Sequence, residues 1–230
     1  MDLSNLTLEE ALQKGIITKG RWNDPEWEVD EPEWRNALKF AKKYHTEGGS
    51  TYIDKSVDIR SGKETPYIRF IQELLNILIN EAHFVDDELL TIAALYNILS
   101  LTACETKTLE QKFDQEVVDS VKQLQMENKL TFGEQLEYLA TMESPDGSRL
   151  TCIFLAVKLL KERVTDLCPL DSWEKDIPYY EHMGIELEQY GMKTYRDKKW
   201  NRAIFLGTKI LEQIERNKKY SRNCNNTAEE

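Results

Sequence analysis

The run LLTIAALYNILSLT, Leu89–Thr102, constrains what this chain can fold into more than any other stretch. Apolar residues cover nearly every face of the helix it would make, interrupted only by Thr, Tyr, Asn and Ser, so the spacing predicts a buried helix. Such a helix needs apolar partners on every side. Much of the remaining sequence supplies them. Pro32–Tyr44 opens with Pro and carries Trp34, Ala37, Leu38, Phe40 and Ala41 as an apolar stripe. Pro66 opens a second helix from Tyr67 to about Ala82, with Ile68, Ile71, Leu74, Leu75 and Leu78 in phase. Further helical periodicity runs over about 108–125, 131–142, 148–166, 179–190 and 193–217. No segment shows convincing strand alternation, and Thr51–Thr65 reads as a long polar loop. The fold class these patterns predict is all-α.

Charge and cysteine usage narrow the function classes. A net charge of -11 argues against a nucleic-acid backbone or an anionic membrane surface as the main partner. No apolar run reaches the length of a membrane span. Met1-Asp2-Leu3-Ser4-Asn5 lacks the basic and apolar regions of a secretory signal, so the expected location is cytoplasmic. The cysteines, Cys104, Cys152, Cys168 and Cys224, form no C-x-x-C pair, which leaves no zinc-ribbon or thioredoxin motif. Cys104 and Cys152 lie near apolar helices and are expected to be buried thiols. His45, His83 and His182 form no H-x-x-x-H pair. Asp86-Asp87-Glu88 bring negative charge to the start of the Leu89 helix, where a cap is expected rather than a metal site. Thr7-Leu8-Glu9-Glu10 is a capping box, followed by an acidic arm with Trp22 and Trp27.

Several segments, in order, resemble the HD superfamily, in particular the bacterial (p)ppGpp hydrolases. Ala37-Leu38-Lys39-Phe40-Ala41-Lys42-Lys43-Tyr44-His45 resembles that family's A-x-x-F/Y-A-x-x-x-H helix. After an insertion, Arg60-Ser61-Gly62-Lys63-Glu64-Thr65-Pro66-Tyr67-Ile68-Arg69-Phe70 resembles R-x-S-G-x-P-Y-I-x-H-P. Leu89–Thr102 aligns without a gap to T-I-I-A-A-L-L-H-D-V-V-E-D-T, Thr108–Val117 to T-L-E-x-x-F-G-x-E-V, and Val157–Arg163 to I-K-L-A-D-R. The likeness spans about residues 34–167. The letters that carry the family's chemistry are replaced. Phe70 stands at the first metal-binding His, Tyr96-Asn97 at the His-Asp pair, Ser100-Leu101 at the Glu-Asp pair, and Lys161 at the last metal-binding Asp.

The resemblance implies an HD-like helical bundle over 34–167, an N-terminal arm over 1–33, a C-terminal helical extension over 168–217 and a flexible tail over 218–230. Imidazoles and carboxylates hold the divalent ion in this family, and Phe70, Tyr96, Asn97 and Lys161 supply none. It therefore implies a pseudo-hydrolase with no catalytic residues, no metal and no cofactor, acting in a regulatory or inhibitory role by binding. One form binds a guanine nucleotide such as an alarmone, with Arg60, Ser61, Tyr67, Tyr96, Asn97 and Lys158 as the ligand-binding set. Arg60 stands at a position that contacts the nucleotide in the hydrolases, and an arginine can stack on a purine or hold phosphate without a metal. The other form binds a protein partner, its old pocket filled by Phe70, Tyr96 and Leu101. The alternative function is a metal-dependent (p)ppGpp or nucleotide phosphohydrolase with an atypical site. In either binding form Asn97 is expected to be buried and hydrogen-bonded. No pattern sets an oligomeric state.

Overall fold

The computed structural model describes residues 32–54, 63–126, 134, 138–139, 146–164 and 198–226. The chain divides after Pro32, and the elements described belong to Glu33–Glu230. In order they are α1 (Glu33–Glu47), β1 (Thr51–Asp54), β2 (Lys63–Pro66), α2 (Tyr67–Asn76), α3 (Asp87–Ala94), α4 (Ile98–Leu101), α5 (Thr106–Glu110), α6 (Gln115–Met126), α7 (Asp146–Val164) and α8 (Lys198–Asn226). The architecture is an all-α bundle with one small hairpin. None of these helices is long and apolar enough to cross a membrane.

At the centre lies α3. Leu89, Leu90, Thr91, Ile92, Ala93 and Ala94 are all buried, and α1, α2, α6 and α7 pack around them. The apolar run thus has the central place its composition requires. It is not one helix, however. The α-helix ends at Ala94, a tight turn covers Leu95–Asn97, and α4 restarts at Ile98. The break sits at Asn97, whose φ of 59° and ψ of 12° are left-handed. Asparagine enters that region more readily than other chiral residues, so a polar letter inside the apolar run marks a turn.

The acidic triplet caps, but in a divided manner. Asp86 accepts from the Leu89 N–H at 3.2 Å and so caps α3 itself. Asp87 reaches back to α1, accepting from the N–H groups of Glu33 at 3.0 Å and Trp34 at 3.2 Å. Glu88 and Asp86 both pair with Arg149 of α7, at 2.6 Å and 3.2 Å. Three consecutive carboxylates therefore join the starts of α1, α3 and α7, where orphan helical N–H groups need acceptors.

Elsewhere the elements depart from the periodicity in two places. Thr51–Thr65 holds an antiparallel hairpin in the register Thr51↔Pro66, Tyr52↔Thr65, Ile53↔Glu64, Asp54↔Lys63. Its strands are short and largely exposed, with Tyr52 as the one large ring turned inward, which leaves too little alternation to read. The single helix expected over 108–125 is two, α5 and α6. They are separated at Gln111–Asp114, where the Lys112 and Phe113 N–H groups both close back on Leu109 O. α2 continues beyond Asn76 as a π-helical turn, Ile77–Glu81. Glu81 then takes a two-pronged hydrogen bond from Arg163 of α7, at 2.6 and 2.9 Å.

Long α8 lies along α7, presenting Ala203, Leu206, Ile210 and Ile214 to it at helical spacing. It extends to Asn226, past Lys218, where the polar composition predicts the start of a fraying tail. Glu162 is 3% exposed and is held by Lys158 one turn earlier, at 3.0 Å, while its backbone carbonyl accepts from Asn217 of α8. Cys104 and Cys152 are buried, as expected, and neither forms a disulfide. The arm, Cys168 and the 179–190 helix lie outside the described residues, as does most of the 131–142 helix.

Two stability measurements follow from these junctions. Asp87→Ala removes both acceptors at the start of α1 and is expected to lower unfolding free energy by about 1–2 kcal/mol, the range for losing a side-chain cap. Urea titration checks this, with an unchanged slope marking an unchanged fold. At Asn97, alanine is expected to be about 1 kcal/mol less stable than glycine, because a Cβ is strained at that φ while glycine is not. An alanine variant more stable than the glycine one would place the residue back in a right-handed helix.

Candidate functional site

The first turn of α2 carries two rings on its inner side, Tyr67 and Phe70, both buried. They stack at a centroid separation of 5.2 Å with 20° between planes. On one side of Tyr67 lies the imidazole of His45, from the last turn of α1, at 5.0 Å. On the far side of Phe70 lies Tyr96, from the turn after α3, at 6.4 Å and 23°. Tyr52 of β1 adds an edge, at 6.3 Å from Tyr67 and 5.6 Å from Phe70. Sequence segments far apart thus converge on one aromatic column, His45–Tyr67–Phe70–Tyr96, with Tyr52 across it.

One polar link holds the column to the turn. The Asn97 Nδ2 donates to the Tyr67 hydroxyl oxygen at 2.9 Å. Asn97 is hydrogen-bonded, as expected, but only half-buried, because its left-handed backbone carries it toward the edge of the core. The chain around His45 is tied by further bonds. Ser50 N–H donates to His45 O at 3.1 Å, Tyr67 N–H donates to Ser50 O at 2.8 Å, and Ser50 Oγ donates to Leu101 O at 2.7 Å.

Burial sets the electrostatics. It holds the Tyr67 hydroxyl well above its ordinary range, with the Asn97 donor acting weakly in the opposite sense. It pushes Tyr52 up to about 12, helped by the neighbouring Asp54 and Glu73. His45 is lowered to about 4, with burial as the only cause. At neutral pH His45, Tyr52 and Tyr67 are therefore uncharged.

The candidate residues fall into separate groups. Tyr67, Phe70, Tyr96 and Asn97 come together. Lys158 and Lys161 lie on α7, both partly buried, and Lys158 is engaged with Glu162. Arg60 and Ser61 lie outside the described residues. Leu101 does not fill the pocket: it is 42% exposed, because the restart after Asn97 rotates α4 and directs that side chain outward. Tyr52 and the stacking role of His45 are additions from the structure. Their signal in sequence was slight: one ring in a short strand and one imidazole ending an apolar stripe.

A divalent ion does not fit this set. Phe70 has no lone pair, Tyr96 is a buried phenol, and Asn97, whose Nδ2 donates to Tyr67, offers at most an uncharged carbonyl oxygen. Among the described residues no three or more His, Cys, Asp or Glu side chains are grouped as metal ligands would be.

No family model and no curated protein sequence matches the chain. Solved structures do match in fold. One is a metazoan ortholog of SpoT, described as hydrolysing ppGpp and playing a role in starvation responses. It superposes with a TM-score of 0.55 at 19% identity, over 80% of this chain and 96% of that one. The chain therefore shares the fold of that protein, an HD-like helical bundle.

His45 gives this site a pH signature. Unfolded, its imidazole titrates near the ordinary 6.5; folded, near 4. Between those values the unfolded chain binds a proton that the folded chain does not, so stability falls as pH drops through that window. Above it the residue contributes no pH dependence. Urea midpoints measured from pH 7 to 4 are expected to decline in the wild type, with the histidine part of that decline absent in His45→Phe.

Proposed function

We propose that this chain is a non-hydrolysing member of the ppGpp-hydrolase fold that acts by binding a guanine nucleotide, in a regulatory or sequestering role. The observation that carries this reading is the aromatic column. Phe70, Tyr96 and Asn97 stand where the family resemblance puts metal ligands; Phe70 and Tyr96 stack, and Asn97 is tied to the column through the Tyr67 hydroxyl. Such a group cannot activate water for attack on a phosphoester as a bound metal ion does. Aromatic faces with a few polar groups instead suit the binding of a planar ligand. The positive charge that a metal would supply to a phosphate passes, in this reading, to Arg60.

A specific observation favours a second reading, in which the chain binds a protein. Phe70 and Tyr96 are only 2% and 5% exposed, so the column already fills the interior. A filled pocket leaves the outer surface as the means of action.

Calorimetric titration with a guanosine polyphosphate separates the two, run beside metal analysis of the purified protein. The nucleotide reading expects heat of binding without stoichiometric metal. It also expects Arg60→Ala to weaken binding by about 1.5–3 kcal/mol, the range for a hydrogen bond to a charged group, with little change in melting temperature. No heat with any guanine nucleotide would leave the protein-partner reading. Stoichiometric metal with phosphate release would restore the hydrolase.

A further inference from the structure

His45 is the member of the aromatic column that packing does not explain. It is 2% exposed, and neither ring nitrogen has a hydrogen-bond partner. Its ring lies 5.0 Å from that of Tyr67, tilted by 32°. A carbon ring would pack there without the penalty of a buried, unsatisfied N–H. What an imidazole has and a carbon ring lacks is a second charge state near neutral pH.

That second state has no place in the closed packing. An imidazolium donates from both nitrogens, and here neither has an acceptor. No opposite charge offsets it. From α2, the uncharged Tyr67 faces the ring, while Arg69 and Glu73 are exposed. On the hairpin, Lys63 and Glu64 are exposed and Asp54 lies beside Tyr52. Thr91–Leu101, which covers the end of α3, the turn and α4, contains no charged residue. On α1 itself, Lys42, Lys43 and Glu47 are at the surface. Burial is accordingly the sole influence on the titration of His45.

A nearby position does suit the charged form. His45 is in the last turn of α1, and a helix C-terminus favours a cation beside its terminal carbonyls. Gly48 and Gly49 follow, the second at a φ of 62°, and glycine puts little steric resistance in the way of backbone rotation. The turn is closed by three backbone bonds. Gly48 N–H donates to Tyr44 O at 2.9 Å, Gly49 N–H to Thr46 O at 3.2 Å and Ser50 N–H to His45 O at 3.1 Å. Breaking them frees the imidazole to turn from the core into water, and none of the three involves α3 or α7.

We propose that the last turn of α1 is a proton-operated latch, closed over Tyr67 while His45 is neutral and released at Gly48–Gly49 when His45 takes up a proton. Release uncovers the Tyr67 ring, so the latch controls exposure of the column whether the chain binds a nucleotide or a protein, and it does not rest on either reading. Its working range lies between the ordinary histidine value of 6.5 and about 4. There the open form binds a proton that the closed form does not, so falling pH favours opening.

Amide hydrogen exchange of the full chain tests this, read residue by residue by NMR at about pH 7.5 and about pH 5 and corrected for the intrinsic exchange rate. The latch expects the Gly48, Gly49 and Ser50 amides to open about twentyfold more often at the lower pH, with the Leu90–Ala94 amides of α3 changing far less. His45→Phe is expected to abolish the pH-dependent part, and His45→Leu is the same control should the phenylalanine variant not fold. Equal acceleration in α3 would show general loosening of the fold and overturn the proposal. Acceleration that persists without His45 would assign it to another group and do the same. So would amides at Gly48–Ser50 that open equally often at both pH values.

Discussion

The rest of the structure is arranged around the complete burial of Leu89–Ala94 in α3. Each residue from Leu89 to Ala94 is enclosed, so no face of that helix is left for water. A helix apolar all round is stable only when surrounded, and α1, α2, α6 and α7 provide the surround. The same burial puts the polar start of α3 under strict terms. Its N–H groups and the carboxylates beside it must all find partners at the edge of the core. Asp86, Asp87 and Glu88 meet that demand by capping α3, capping α1 and pairing with Arg149. One short acidic sequence therefore sets where three helices begin.

The other end of the apolar run has the opposite character. There the chain must leave the core, and Asn97 does so through a left-handed turn whose side chain is anchored on the Tyr67 hydroxyl. That turn delivers Tyr96 to the column and directs Leu101 outward. A metal site at this position would hold charge in a half-buried setting, balanced by the ion. Aromatic rings need no counter-charge, and their contacts are worth about 0.5–1.5 kcal/mol per pair beyond the area they bury. The column is thus held together by packing rather than by charge. Only the unpartnered imidazole of His45 lies outside that logic.

Much of this was legible in the chain itself. The centrality of Leu89–Ala94 followed from its composition, and the helices beginning near Pro32 and Pro66 from proline placement and apolar spacing. The segments resembling the hydrolases led to the same fold that the superposition on the SpoT ortholog gives. The hairpin was not legible, since Tyr52 alone gives no alternation. Nor was the split between α5 and α6, where Lys112 and Phe113 carry no turn signature and both close on Leu109. Sequence periodicity reports which residues are apolar, and a short irregular turn between apolar segments leaves that pattern nearly intact.

The sequence by itself determined the class of fold, the identity of the buried helix and the lack of imidazole or carboxylate at Phe70, Tyr96 and Asn97. These depend on residue type and local spacing, which are properties of the linear chain. Tertiary structure alone decided that Phe70 and Tyr96 stack with Tyr67, that Asp87 caps a helix beginning fifty-four residues earlier, and that His45 ends with neither nitrogen paired. Each of these depends on which surfaces meet across the core. That is settled by the packing of several elements at once, and no single segment encodes it.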